Sequence, residues 1–496
     1  MTSITPYAVL VAVALSGCTV GPDFEPPKLS TEAGYSAASL PRATVSSAGP
    51  NAEAQNFIVG TDIPGEWWSL FQSPALDALV RQAIRNNPDI AAAQAAIKVG
   101  RELTRAQTGA DYPAVTGGFS ATRQLTPLGS LTPTAATSSS VYTLYTAQLA
   151  VSYMPDIWGV NARTVEALQA QDEIRRFQYE AAFLTLTSNV VIAAITEAEL
   201  RGQIEAATEI IALEEESLAL LQRQYDLGQI ANADVLAQES ALAQAQQTLP
   251  PLQKQLDQTR NFLTALLGRF PNQEPAENFT LNSMELPHEI PVTLPSRLVE
   301  QRPDVRAAQA SLHASTALVG VAIANRLPNI TLGAAIGATA PFVFGAQGLA
   351  GKDMEFWSMS GNWAAVLFDG FSLEHKQKAA EYGLEQAAAQ YRSAVLTAFA
   401  NVSDSLHALQ SDAQNLKAAV RAEQSAAATL AITRRQLELG AIPYLTLISA
   451  QQTELQAKTA LVQARATRFA DTVALFQSLG GGWWNRPDLE NESQPR

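Results

Sequence analysis

Few residues in this 496-residue chain are set up for covalent chemistry. Cys18 is the only thiol, so no intrachain disulfide can form and any role it has is played alone. The four histidines, His288, His313, His375 and His407, share no metal-ligand spacing. No Gly-rich phosphate loop and no Gly-x-Ser-x-Gly elbow occurs. Glu214-Glu215-Glu216 reads as a solvated helix face. These residues do not assemble a catalytic constellation, and an enzyme is not expected. Cys18 is left as the one reactive side chain in a distinctive setting.

That setting is an export signal. Residues 7–15 form a short apolar run, too short for a bilayer span of about 20 residues and suited to a secretory h-region. Residues 1–6 contain no Lys or Arg, so the usual positive charge ahead of that run is missing. Leu15-Ser16-Gly17-Cys18 resembles the lipobox of bacterial lipoproteins. The resemblance implies that 1–17 is a removed signal peptide and that Cys18 carries an acyl/diacylglycerol lipid. No other cofactor or metal is expected. Thr19, not Asp, follows the Cys, which by the same analogy argues against retention at an inner membrane. The formal net charge of −14 disfavours nucleic acid as a partner. No run of 18 or more wholly apolar residues occurs, so a membrane-spanning part would have to be a β-barrel.

The elements behind these residues come in duplicate. Asn87-Pro88-Asp89-Ile90 matches Arg302-Pro303-Asp304-Val305, 215 positions later. Gln94 and Gln309, and Pro113 and Pro328, hold the same offset. Trp158-Gly159 matches Asp369-Gly370 at 211, while Gln224–Gly228 matches Gln436–Gly440, and Leu267-Gly268 matches Leu479-Gly480, at 212. The expected units are 61–268 and 301–480. An N-terminal tether over 18–60, an equatorial linker over 269–300 and a C-terminal tail over 481–496 complete the chain. Each unit reads as a Pro-started helix, a β-hairpin and a helical hairpin. The hairpins fall at 113–155 and 328–368, the helical hairpins at 160–267 and 373–479. In the second strand, Val141, Thr143, Tyr145, Ala147, Leu149, Val151 and Tyr153 share one face, suited to lipid. Thr146, Gln148 and Ser152 share the other, suited to a polar lumen. An ordinary sandwich hairpin has the same period. Phe177, Ala181, Leu184, Ser188, Val191, Ile195 and Ala198 mark a heptad seam. A helix from Val160 to Leu227 spans roughly 100 Å at about 1.5 Å per residue.

Four strands per chain cannot close a barrel, and open edges are not tolerated in lipid, so strands from several chains must be pooled. Cys18-Thr-Val-Gly-Pro-Asp-Phe-Glu-Pro-Pro27, Gln301-Arg-Pro-Asp-Val305, Leu367-Phe-Asp-Gly370 and the paired Gly-containing turns resemble the outer-membrane factors of Gram-negative bacteria. The chain is thus similar to the NodT-type lipoproteins of the TolC-like superfamily from Cys18 to Trp484. That resemblance implies a homotrimer, with a twelve-stranded outer-membrane β-barrel continuous with a twelve-helix periplasmic α-barrel and an equatorial belt. It implies the exit duct of a tripartite efflux pump for small molecules such as drugs, toxic compounds or metals. The partners implied are a periplasmic adaptor, an inner-membrane pump of the resistance-nodulation-division type and outer-membrane lipid. The same architecture also serves type I protein secretion. A purely structural, lipid-anchored coiled coil is the third reading, and it has no barrel.

A duct needs a gate and docking grooves, and the turns between the long helices are where both belong. In the family an acidic residue lies six positions after the first tip glycine, the position of Asp234 here. Three copies would make an anionic ring; alternatively, Asp234 caps the returning helix. In the second turn Leu445 holds the family's Leu position, but Ser449 stands where an Asp is common. Thr446 and Ile442 stand where some members carry charge. The constriction is therefore expected to be an apolar ring of Leu445. Gly228, Gln229, Ala231, Gly440, Ala441 and Tyr444 are the candidate adaptor-docking tips. For the glycines, left-handed turn geometry is an equal alternative, and for Tyr444 the alternative is packing. Trp67-Trp68 and Trp483-Trp484 are expected to pack in the belt rather than at a membrane interface.

Overall fold

The structure, a computed structural model, describes residues 19–28, 34–35, 41–127, 139–293, 295–343 and 354–486. Cys18, the signal segment, the hairpin tips at 128–138 and 344–353, and residues 487–496 lie outside them.

Helices dominate, and their lengths repeat. A 13-residue helix α1 (Pro74–Asn86) is followed at once by α2 (Pro88–Thr108). The break is made by Asn87, whose Oδ1 accepts the Asp89 N–H at 2.8 Å and so opens the second helix. After two long strands come α3 (Val160–Asp226, 67 residues) and α4 (Asn232–Leu266, 35 residues). Then follow α5 (Pro295–Gln301) and α6 (Pro303–Ala324), the counterpart of α2. The second helical hairpin is α7 (Ser372–Glu438) and α8 (Tyr444–Ser478), again 67 and 35 residues. Windows in α3 and α6 are apolar enough to cross a bilayer (mean hydropathy 1.5 and 1.3), but 67% and 44% of those windows are buried within the protein.

The six strands are β1 (Asn56–Val59), β2 (Ala114–Pro127), β3 (Ser139–Tyr153), β4 (Glu289–Val292), β5 (Asn329–Val343) and β6 (Met354–Ala364). Two compact units result. The first draws on residues up to 26, 97–174 and 309–390, and the second on 27–96, 175–308 and 391 onward.

The first unit is built on an antiparallel sheet in the order β2-β3-β5-β6. The segment that follows Cys18 is fixed to this unit rather than extended free of it. Val20 N–H donates to the Trp158 carbonyl at 3.2 Å. Arg163, buried to 6% side-chain exposure, donates to the Val20 and Gly21 carbonyls and pairs with Asp23 at 2.6 Å and Glu166 at 2.7 Å. His313 also meets Glu166, at 3.0 Å, and stacks on Phe24.

The second unit holds the aromatic core. Trp67, Trp68 and Phe71 are buried against Phe183, Phe469 and Phe476, so Trp67-Trp68 packs rather than facing lipid. The seam residues of α3 from Phe177 to Ala198 are buried, except the half-buried Ala181. Arg468 on α8 is fully buried and donates to Gln55, Thr44 and the Asn51 carbonyl.

Three segments differ from the sequence expectation. Residues 41–60, taken as tether, and 269–300, taken as linker, meet in a parallel two-stranded sheet, with Phe57 opposite Ile290. Strands of four residues, one of them interrupted by Pro291, carry too little periodicity to be legible. Residues 481–486, expected in the tail, are held by side-chain bonds. Trp483 Nε1 donates to the Gln301 carbonyl at 2.6 Å, Asn485 to the Ile63 carbonyl at 2.7 Å, and Arg486 forms a two-point ion pair with buried Glu180.

Candidate functional site

The sheet is the first functional surface, and its register sorts the side chains. On one face the rows Val115–Val151–Ala334–Met359 and Gly117–Leu149–Ile336–Trp357 run across all four strands. Phe119 and Tyr145 stack on this face at 6.3 Å. The opposite face carries Thr116–Ala150–Ala335–Ser358 and Gly118–Gln148–Gly337–Phe356. One face is thus apolar yet uncovered, and the other is mostly small and polar, Phe356 being the large apolar residue in these rows. That division suits lipid on one side and water on the other. Among the described residues β2 and β6 each lack a second neighbour, so both outer edges present unpaired backbone groups.

The helical turns are the second surface, and both lie in the second unit. Their backbones are alike. Gly228, at φ +70°, donates to the Tyr225 carbonyl while Gln229 N–H reaches the Gln224 carbonyl. Gly440, at φ +69°, and Ala441 repeat this to Leu437 and Gln436. These are paired Schellman ends, which demand a left-handed residue. A Cβ at either glycine would meet nothing within 4 Å, so the backbone angle and not crowding calls for glycine. Gln229, Ala231 and Ala441 are exposed.

Asp234 does not take the cap position. Ala231 is the N-cap of α4, without a side-chain hydrogen bond, and half-buried Asp234 sits in the first turn. Its relation to the helix is the macrodipole's attraction for negative charge. At the second turn, Pro443 is the N-cap of α8. Leu445 and Ser449, one turn apart, and Thr446 point away from the chain; Leu445 keeps 60% of its surface exposed. Leu447, Ile448 and Ala450 point inward. Tyr444 is half-buried against the Leu430–Leu447–Ala450 cluster. Its ring packs, and burial raises its pKa, with Ser217 and Glu214 of α3 nearby.

Glu214 itself departs from the solvated face expected of its acidic run. It is 1% exposed and its carboxyl pKa is raised by burial. Farther along α3 the buried positions Ala207, Ile210, Glu214 and Leu221 form a stripe two positions out of step with the Phe177–Ala198 seam, and this shift turns Glu214 inward. Buried Gln238 of α4 donates to the Glu214 carbonyl at 3.0 Å. Beside them, a groove of about 620 Å³ bordered by α3, α4 and α8 is lined by Gln203, Glu214, Gln244, Gln452 and Gln456. Asp412 on α7 carries no sequence signal, yet its pKa is pushed up to about 7 by burial and by its hydrogen bond and repulsion with Asp471 on α8. Among the described residues no group of His, Cys, Asp and Glu is placed to hold a metal ion.

An uncovered apolar sheet face, two strand edges without a neighbour among the described residues and long helices closed by paired glycine turns are the features expected of a membrane-inserted barrel assembled from several chains. Comparison with known proteins gives the family. The outer membrane efflux protein family matches residues 79–269 and 294–481, and the chain belongs to it. The pyoverdine export outer membrane protein OpmQ of Pseudomonas putida is 31% identical over 84% of this chain and 88% of its own length. The probable efflux pump outer membrane protein TtgC, also of Pseudomonas putida, is 27% identical over 99% of this chain and 98% of its own. Among solved structures, the outer-membrane channel OprN superposes with TM-score 0.82 at 25% identity, covering 94% of this chain and all of that one. The Campylobacter jejuni CmeC channel has the same TM-score at 20% identity, over 96% of this chain and 97% of its own, and shares the TolC-like fold.

Proposed function

We propose that this protein is the outer-membrane exit duct of a tripartite efflux pump. It works as a homotrimer that passes small molecules from the periplasm to the exterior. The observation that carries this is the β2-β3-β5-β6 sheet, apolar on one face, polar on the other and unpaired at both edges. Three such sheets, joined β6 to β2, give twelve strands and leave no edge in lipid. Twelve long helices then form a periplasmic tube continuous with the barrel. The Gly228 and Gly440 turns are its tips, where a periplasmic adaptor docks and links the duct to an inner-membrane pump of the resistance-nodulation-division type. Exposed Leu445, with Thr446 and Ser449 beside it, constricts the tube, and Asp234 adds an anionic ring. Cys18 carries a lipid that tethers the chain to the outer membrane. The relatives' names speak of pyoverdine, toluene and solvents, which supports small molecules as cargo.

The test is accumulation of a lipophilic fluorescent dye in cells lacking this gene alone. Raised accumulation, reversed by the wild-type gene, is the expected result. Accumulation equal to that of wild-type cells, with the pump genes expressed, contradicts the proposal.

A further inference from the structure

The two repeats treat the same junction differently, and the difference exposes an unfilled surface. After β3, residues 154–159 lead into α3; after β6, residues 365–371 lead into α7. Gly159 and Phe371 are equivalent. Each precedes its helix, each has positive φ (+78° and +67°), and each carbonyl accepts the N–H four residues on, from Arg163 and His375. The one-residue difference in connection length shifts the match of Trp158-Gly159 from offset 211 to 212. Glycine holds the left-handed angle without strain, but a phenylalanine does so at a cost. Something must offset that strain at Phe371.

The first junction is covered. It follows β3, whose neighbour is β5, and it seats on the residue just before β5: Trp158 Nε1 donates to the Pro328 carbonyl at 2.6 Å. Val20 covers it from the other side through its bond to the Trp158 carbonyl. The second junction is bare. Leu367 is 95% exposed, Phe368 79% and Phe371 61%, with the two rings packed edge to face at 5.9 Å. It follows β6, which has no further neighbour among the described residues. The counterpart of the Leu327-Pro328 seat is Tyr112-Pro113, just before β2, the other unpaired edge. Tyr112 is 71% exposed, whereas Leu327 and Pro328 are half-buried.

We propose that the Leu367–Phe368–Phe371 cluster of one copy seats on Tyr112 and Pro113 of the partner subunit, repeating between copies the contact that Trp158 and Pro328 make within one. This rests on the homotrimer reading. Antiparallel pairing of β6 with the partner subunit's β2 brings the end of one strand beside the start of the other, so the two exposed surfaces meet at that seam. The seam replaces the polar Trp158 contact with aromatic burial, and this burial is what holds phenylalanine at a glycine position.

The test uses the full-length chain in outer-membrane preparations. Tyr112→Cys with Phe368→Cys, and Pro113→Cys with Phe371→Cys, are treated with a short bismaleimide, with each single variant as control. The expected result is covalent dimers and trimers in the double variants only. Phe371→Gly removes the backbone strain as well as the ring. A seam role makes its trimer dissociate at a lower temperature than wild type, whereas a turn role alone leaves it at least as heat-stable. A heat-dissociable trimer that forms no crosslink with either pair, or that Phe371→Gly fails to weaken, overturns the seam while leaving the trimer intact. A chain that migrates only as monomer before crosslinking overturns both.

Discussion

Leu445 leaves the first turn of α8 pointing away from its own chain, with its neighbours Leu447 and Ile448 turned inward. In the proposed trimer, copies of this exposed side chain meet across the pore as an apolar ring. Leu445→Ala is expected to raise the conductance of the isolated trimer in planar bilayers, and a closed-state conductance equal to wild type would count against the ring. Asp412 makes a prediction about pH. Its folded pKa of about 7 lies above the ordinary 3.8, so between those values the folded chain keeps a proton that the unfolded chain has lost. Stability from this group is then full below about pH 4 and falls as pH rises toward 7. The groups facing it are Asp471 and Arg468. Asp412→Asn should unfold at the same temperature as wild type near pH 4 and at a higher one at pH 8. Equal midpoints at both pH values would contradict the shared proton. The Glu180–Arg486 pair is different in kind. Both side chains are almost wholly buried and Arg486 lies 4.0 Å from the Phe183 ring centre. Glu180→Ala strands a buried charge and should cost about 3–5 kcal/mol in denaturant unfolding.

The helical hairpins turn on backbone geometry that only glycine adopts freely. Gly228→Ala or Gly440→Ala should each destabilise the turn by roughly 1–2 kcal/mol without a packing clash, measurable as faster local hydrogen exchange there. The sheet makes a sharper prediction. Ile336→Lys puts a charge on the apolar face and should cost about 2–4 kcal/mol if the position lies at the bilayer midplane. Thr339→Lys, on the polar face, should fold as well as wild type. What was legible in the sequence follows from period and repetition. The heptad from Phe177 to Ala198 and the alternation from Val141 to Tyr153 extend over many residues, and duplication supplies each a second time. Glu214 was misread because three adjacent glutamates suggest solvent, although the helix period puts one of them inward. Asp234 was weighed as a cap because type and rough position fit, but the helix begins at Asn232, two residues earlier. The β1–β4 pair and the Arg468 hub depend on residues more than 200 positions apart, with no local pattern to announce them.

At the scale of the whole molecule, one chain is an incomplete object. Among the described residues its sheet has an uncovered apolar face and two edges without a neighbouring strand, while the second unit has a closed aromatic core. Under the proposed duct reading, the second unit packs on its own core and the sheet-bearing unit is completed by lipid and further copies. Membership of the outer membrane efflux protein family accounts for both parts. Under the proposed reading, a lipid on Cys18 serves as an auxiliary tether, since a single acyl anchor binds a membrane only marginally. Cys18→Ser should abolish metabolic palmitate labelling and reduce the share of protein reaching the outer membrane, while reconstituted trimers keep their conductance. Total loss of conductance in that variant would give the lipid a structural role instead. The most direct measurement of the central claim is the native mass of the full-length protein extracted in mild detergent. A folded, β-containing species of three chains is the expected result. A folded monomer with the same strand content would contradict it, because four strands with open edges would then be stable alone.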